Sequence, residues 1–156
     1  MEKSGTSNVR LLDISPFSRI NKGRTFSAEK VAEFFTEIEK YLSEGFAAEA
    51  EERCFTVLEN YRHNLDIQAQ LNCFISLAFE MQGRFAEALE IIKPFEDKEI
   101  TKVLQADIHA ALLLRQGIVY GYLKNSSKAI SLLTLSQRIA EERDFIYLLV
   151  KVHTAF

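Results

Sequence analysis

An alanine recurs three times in this chain, with similar residues at the same distances from it. The alanines are Ala50, Ala88 and Ala129, so the period is 38 and then 41 residues. Superposing the alanines aligns three further sets of residues. Nine residues before each alanine lie Tyr41, Phe79 and Tyr120, and twelve residues before lie Ile38, Ser76 and Gly117. Four residues after each alanine lie Cys54, Ile92 and Leu133. Internal periods of this size, with two helices in each, are typical of solenoids of helical hairpins.

The composition and the spacing of apolar residues predict helices along most of the chain. Six glycines and two prolines among 156 residues are too few for the turns of an all-β fold. Ser27 and Asp66 are predicted to cap helices, and Asn125 to take the left-handed conformation that glycine takes at the earlier turns. From the helical spacing of apolar residues, the predicted helices cover residues 28–44, 46–63, 67–82, 84–94, 99–123, 126–143 and 145–156.

The second repeat resembles a tetratricopeptide repeat over residues 74–95, FISLAFEMQGRFAEALEIIKPF. That family has a small residue in its first helix, an aromatic residue three positions later, a glycine at the turn and an alanine opening its second helix. The matching residues here are Ser76, Phe79, Gly83, Phe85 and Ala88. The first and third repeats match less completely, because Ile38 replaces the small residue and Lys124 replaces the turn glycine. The repeats are also longer than the family's usual ~34 residues.

The resemblance, which covers about residues 30–143, implies an all-α fold. This fold is a right-handed α-α superhelix (solenoid) of about three helical hairpins plus a terminal capping helix. The hairpins comprise residues 27–65, 66–98 and 99–143, and the last helix comprises residues 145–156. Each recurring alanine would let the two helices of a hairpin approach closely, since a small side chain makes room for a bulky one. Because the last helix is still running at Phe156, we expect the chain to be a fragment of a longer protein.

Residues 1–26 form a leader whose charge differs from that of the rest. The leader contains five basic and two acidic residues, whereas the whole chain has a net charge of −3. Its apolar residues are dense for a free tail, and they are Val9, Leu11, Leu12, Ile14, Phe17 and Ile20. One interpretation is that the leader packs on the helical array, in its groove or against its first hairpin. The other is that the leader is disordered.

The sequence contains no recognisable catalytic or metal-binding constellation. Glycine-rich phosphate-binding loops, nucleophile elbows and paired-histidine zinc motifs do not occur in it. His63, His109 and His153 are isolated from one another. Cys54 and Cys73 fall at apolar helix positions, where buried reduced thiols are expected. We therefore predict a protein that is not an enzyme and that needs no cofactor and no metal.

Charge and hydropathy argue against two classes of partner. An acidic pI near 5.7 offers no basic surface for direct nucleic-acid binding. The longest apolar run, residues 110–123, is interrupted by Arg115 and Gln116, and the N-terminus has no signal-peptide core, so no membrane span is predicted. A cytoplasmic location and a protein or peptide partner are the expectations.

The resemblance places the first helices of successive hairpins along a concave groove. The residues expected to bind a peptide or helix there are Phe35, Glu39, Phe74, Leu77, Met81, Leu114, Arg115, Ile118 and Tyr122. Such a largely apolar face predicts a non-catalytic interaction scaffold, with Arg115 and Glu39 fixing the direction of the ligand. Some tetratricopeptide domains bind the C-terminal carboxylate of chaperones, but only Arg115 occupies one of their binding positions, so that activity is not expected.

Two further interpretations remain open at this stage. The chain could be a sensor or regulatory tetratricopeptide domain of a larger bacterial signalling or transcription-regulator protein, in which a small ligand or signal peptide sets the curvature of the array. It could also dimerise through the apolar groove or through its last helix.

Overall fold

The structure has a helix in each of the seven predicted regions, but the longest predicted helix, over residues 99–123, is interrupted. A computed structural model describes residues 26–155, and the leader with its predicted packing lies outside the described residues. Over residues 26–155 the chain forms eight α-helices and two short 3-10 helices, and no strand. The α-helices are α1 (Phe26–Ser43), α2 (Ala47–Leu58), α3 (Leu65–Met81), α4 (Phe85–Ile92), α5 (Lys98–Thr101), α6 (Ala106–Tyr122), α7 (Ser126–Glu142) and α8 (Ile146–Ala155). The 3-10 helices, Glu59–Tyr61 and Lys93–Glu96, extend α2 and α4.

Neighbouring helices pack against one another along the chain. α1 contacts α2, α2 contacts α3, and α3 contacts α4; α6 likewise contacts α7, and α7 contacts α8. The central helix α3 also packs against α6, and α4 packs against α6 as well. The helices α1, α3 and α6, which the sequence assigns as first helices of hairpins, are thus each followed by a partner helix.

The same backbone turn ends α1, α3, α6 and α7. Each turn contains one residue with positive φ, and these residues are Gly45 (88°), Gly83 (76°), Lys124 (68°) and Asp144 (60°). The N–H group of the following residue donates to the carbonyl oxygen five positions earlier, in the pairs Phe46–Tyr41, Arg84–Phe79, Asn125–Tyr120 and Phe145–Ala140. This bond is the mark of a Schellman motif. In the first three turns the acceptor is the backbone carbonyl of the recurring aromatic residue, so that residue has the same place relative to the turn each time.

The recurring alanines are buried, as their pattern predicts. Ala50, Ala88 and Ala129 all lie in the core. The residues four positions after them, Cys54, Ile92 and Leu133, are buried too. The small residues Ser76 and Gly117 lie close to two of these alanines. The hydroxyl of Ser76 donates to the carbonyl oxygen of Ala88 at 2.8 Å, and a methyl group placed on Gly117 would lie 3.3 Å from the carbonyl oxygen of Ala129.

Two predicted helix caps are wrong. The described part of α1 already includes Ser27, so this residue is not its N-cap. The N-cap of α3 is Asn64, whose side chain accepts a 3.0 Å hydrogen bond from the N–H of Ile67. Asp66 instead lies within α3, and its carboxylate accepts two 3.2 Å hydrogen bonds from the backbone and side-chain nitrogens of Gln105. The predicted capping residue therefore holds the start of α6 against the start of α3.

The predicted left-handed residue is also one position out. Lys124 has the positive φ, whereas Asn125 has a φ of −101°. The side chain of Asn125 accepts a 3.2 Å hydrogen bond from the N–H of Lys128 and caps α7. An asparagine that can satisfy an otherwise unpaired helical N–H group is more useful as an N-cap than in the left-handed region.

The long helix predicted over residues 99–123 is interrupted. The carboxylate of Asp97 accepts from the N–H of Glu99 at 2.9 Å and starts the single-turn helix α5. The chain then turns, buries Leu104 and becomes extended at Gln105, before α6 begins at Ala106. Tertiary contacts override the helical propensity here, since Gln105 is bonded to Asp66 of α3.

Candidate functional site

The predicted groove residues lie on α1, α3 and α6, of which α3 packs against α6. These nine residues, called the groove stripe below, are Phe35, Glu39, Phe74, Leu77, Met81, Leu114, Arg115, Ile118 and Tyr122. The rings of Phe35 on α1 and Phe74 on α3 have centroids 5.1 Å apart. Arg115 on α6 forms an ion pair with Glu80 on α3. One part of the stripe therefore joins α1 to α3, and another joins α3 to α6.

Four residues of the groove stripe are buried. The exposed fractions are 0% for Phe35, 0% for Glu39 and 2% for Phe74, and Leu114 is buried as well. We call these four residues the closed part of the stripe. Their side chains are inaccessible in the conformation described, so a partner can reach them only if whatever covers them moves.

Four other residues of the groove stripe reach the surface, and we call them the open part. Met81 is 47% exposed and Tyr122 is 49% exposed, while Leu77 and Ile118 are half-buried. Leu77 and Ile118 are 41 residues apart, and so are Met81 and Tyr122. That interval is also the distance between Ala88 and Ala129, so the open part consists of equivalent positions in two successive repeats.

The aromatic ring of Tyr122 is held in place by a residue that the sequence analysis did not assign to the groove. The ring stacks on that of Phe85, the first residue of α4, with centroids 4.6 Å apart and an angle of 11° between the planes. Stacked aromatic pairs contribute about 0.5–1.5 kcal/mol beyond the area that they bury. Tyr122 is therefore anchored on one side and exposed over about half of its surface.

Arg115, predicted to orient a ligand, is paired within the protein. Its partner, Glu80, was not identified from the sequence, and the two side chains are only 11% and 14% exposed. Burial lowers the pKa of Arg115 to about 10, so the guanidinium still carries its proton at neutral pH. Its Nε atom is buried and has no hydrogen-bond partner. A ligand acceptor could therefore use this donor only if the side chains that cover it moved.

The thiols and histidines lie outside any reactive constellation. Burial raises the pKa of both Cys54 and Cys73 to about 12, so both thiols stay protonated at neutral pH. Burial lowers the pKa of His109. Within residues 26–155, no group of three or more side chains could hold a metal ion. None of the helices in that range is both long and apolar enough to span a bilayer.

Comparisons of the chain with protein-family models, with curated proteins and with solved structures found no match. Function must therefore be inferred from the described side chains themselves. Among these, the open part of the groove stripe combines exposed apolar surface with repetition in two units.

Proposed function

We propose that this protein is a non-catalytic peptide-binding scaffold of the tetratricopeptide kind, in which α1, α3 and α6 line the concave face of a right-handed superhelix. Three features support the repeat assignment. The recurring alanines are buried, successive helices pack against one another, and the same hydrogen-bonded turn follows each of the three first helices. Repeats that share both their turn and their core positions can stack with a constant rotation from one to the next.

The observation that carries the proposal is the repeated apolar surface of the open part. Met81 and Tyr122 occupy equivalent positions on α3 and α6, and both are about half exposed. An amphipathic helix or an extended peptide presents apolar side chains at regular intervals, so it can contact equivalent pockets on successive repeats. Burying one such side chain contributes about 1.5–3 kcal/mol before the costs of association and ordering are subtracted.

Selection from a displayed library of random peptides tests this proposal directly. We expect selected peptides to carry regularly spaced apolar residues and to bind the protein with about micromolar affinity, as measured by calorimetry. Met81→Glu and Tyr122→Glu should each weaken that binding at least about tenfold, because they place a charge in an apolar contact. Both positions are exposed, so both variants should fold.

Val103→Glu is the matched control. Val103 is 59% exposed and precedes the start of α6, whereas Tyr122 ends that helix. A helix of this length separates the two positions by about 25 Å. Binding should survive Val103→Glu. The proposal is wrong if no peptide is enriched, or if the three glutamate variants bind the selected peptides equally well.

A further inference from the structure

The closed part of the groove stripe contains polar as well as aromatic groups. Glu39 follows Phe35 by four residues on α1, and Gln70 precedes Phe74 by four residues on α3, so each pair shares one face of its helix. Glu39 and Gln70 are both 0% exposed. The contact between the two phenylalanine rings brings the two faces together.

This surface of α3 is not the one that packs on α4. The residue of α3 that bonds to α4 is Ser76, whose hydroxyl donates to the carbonyl oxygen of Ala88. Phe74 precedes Ser76 by two residues, which is a rotation of about 200° around a helix. Phe74 therefore points away from α4, yet it is only 2% exposed. The helix α4 is therefore not what buries Phe74. The ring of Phe35 lies against it, and α2 and α6 also pack on α3.

The first 25 residues of the chain have the composition needed to cover such a surface. They include the six apolar residues Val9, Leu11, Leu12, Ile14, Phe17 and Ile20, and five basic residues against two acidic ones. A buried carboxylate such as that of Glu39 is stabilised by a cation or by hydrogen-bond donors. The segment thus offers both the apolar groups that would fit beside Phe35 and Phe74 and the positive charge that would suit Glu39.

The segment is also attached at the right place. Residue 25 precedes the first described residue of α1, and Glu39 lies 13 residues further along. That distance along a helix is about 20 Å, which about six or seven extended residues can span. A segment of 25 residues is therefore long enough to run back along α1 and to continue across α3.

We propose that the N-terminal segment, residues 1–25, is the ligand of the closed part and competes with an outside peptide for the groove stripe. The inference rests on the proposed function, because the segment would occupy one end of the same groove. An attached segment acts at a high effective concentration, about millimolar for a short flexible connection. An outside peptide then binds the whole stripe only in the fraction of molecules whose own segment has left it.

The two cysteines provide a readout that does not depend on any outside peptide. Cys73 adjoins Phe74 on α3, whereas Cys54 belongs to the set of core residues four positions after the recurring alanines. Both are buried free thiols. In the full-length chain, the paired substitution Leu11→Ser with Leu12→Ser, and separately Phe17→Ser, should speed labelling of Cys73 by a thiol reagent at least about tenfold. Labelling of Cys54 should not change.

Matched controls make the result decisive. Ser4→Ala with Ser7→Ala should leave both labelling rates unchanged, and a synthetic peptide of residues 1–25 should restore protection of Cys73 in the serine variants. Unchanged labelling of Cys73, or equal acceleration at both cysteines, would overturn the inference. If dilution of the wild-type protein removed the protection of Cys73 from the thiol reagent, a second copy of the protein would be supplying the segment. That result would also overturn the inference. Selective exposure of Cys73 in variants that bind no library peptide would support the segment as the ligand of the closed part, but it would contradict the competition and the proposed function.

Discussion

The hydroxyl of Ser76 donates a 2.8 Å hydrogen bond to the carbonyl oxygen of Ala88 and joins α3 to α4 at the recurring alanine. The equivalent residues of the third repeat are Gly117 and Ala129. A methyl group placed on Gly117 would lie 3.3 Å from the carbonyl oxygen of Ala129. In both repeats, therefore, the first helix approaches the backbone of the second at the same point. Ser76 forms a hydrogen bond across this short distance, whereas Gly117 has no side chain and lets the two helices pack directly against each other.

Gly117→Ala should destabilise the protein. The added methyl group would lie 2.8 Å from Cγ and Cδ2 of Leu133, which is itself buried, so α6 and α7 would have to separate or repack. Overpacking of this kind costs about 1–3 kcal/mol, which outweighs the gain of about 1 kcal/mol in helix propensity. Urea unfolding measures the difference. Gly121→Ala is the control, because its nearest neighbour, Cβ of Ala129, would be 4.0 Å away; that variant should be no less stable than the wild type.

Ala88→Leu tests whether the recurring alanine is small because of packing. Ala88 is buried against α3, whereas Ala86 is exposed on the same helix. The larger side chain at position 88 should lower the free energy of unfolding by about 2 kcal/mol, while Ala86→Leu should change it by less than about 0.5 kcal/mol. Equal effects of the two substitutions in urea unfolding would show that α3 and α4 do not pack as described.

Lys124→Gly should stabilise the protein. Lys124 has a φ of 68°, a conformation that costs a residue with a Cβ atom about 1 kcal/mol relative to glycine. The equivalent residues in the first two repeats are glycines. The substitution should raise the midpoint of thermal unfolding by about 2–4 °C. Gly83→Ala, which moves a side chain into the same conformation, should lower the midpoint; a shift in the same direction for both variants would contradict the shared turn.

Arg115→Met should be strongly destabilising, because it leaves the carboxylate of Glu80 buried without its cation. Removing one member of a buried pair costs about 3 kcal/mol or more. Adding Glu80→Met should recover much of that loss, and a double-mutant cycle from urea unfolding measures the coupling. The exposed pair of Arg62 and Glu59 provides the comparison, since Arg62→Met should leave stability unchanged. A coupling near zero for Arg115 and Glu80 would show that the pair is not buried.

The stability of the protein should fall as the pH rises above about 9. Unfolded thiols ionise near their ordinary pKa of about 8.5, whereas burial raises the pKa of Cys54 and Cys73 to about 12. The unfolded state therefore loses protons first, and stability that is fully present below about pH 8.5 is lost as the pH rises toward 12. Urea unfolding between about pH 8 and about pH 11 measures the slope. In the variant with both Cys54→Ala and Cys73→Ala, the slope should be smaller.

The parts of the fold that could be predicted from the sequence are those that depend on residues close together in the chain. The helices follow from apolar residues at helical spacing, and Gly45 and Gly83 mark turns because a glycine adopts positive φ without strain. Lys124 aligns with these glycines in the sequence, but that alignment did not predict its positive φ. Asparagine adopts the left-handed conformation more readily than lysine, so the neighbouring residue Asn125 was predicted to adopt it. The break before α6 was missed for a similar reason, since it depends on Asp66, 39 residues away from Gln105.

The sequence by itself determined that the described chain is helical and where its repeats come into register, because helical period and small-residue spacing are properties of nearby residues. Only the tertiary structure decided which groove residues are accessible. Phe35 and Phe74 belong to the same predicted groove stripe as Met81 and Tyr122, yet the first two are buried and the last two are exposed. Burial depends on which segments distant in sequence cover each face, and periodicity within one helix carries no information about that.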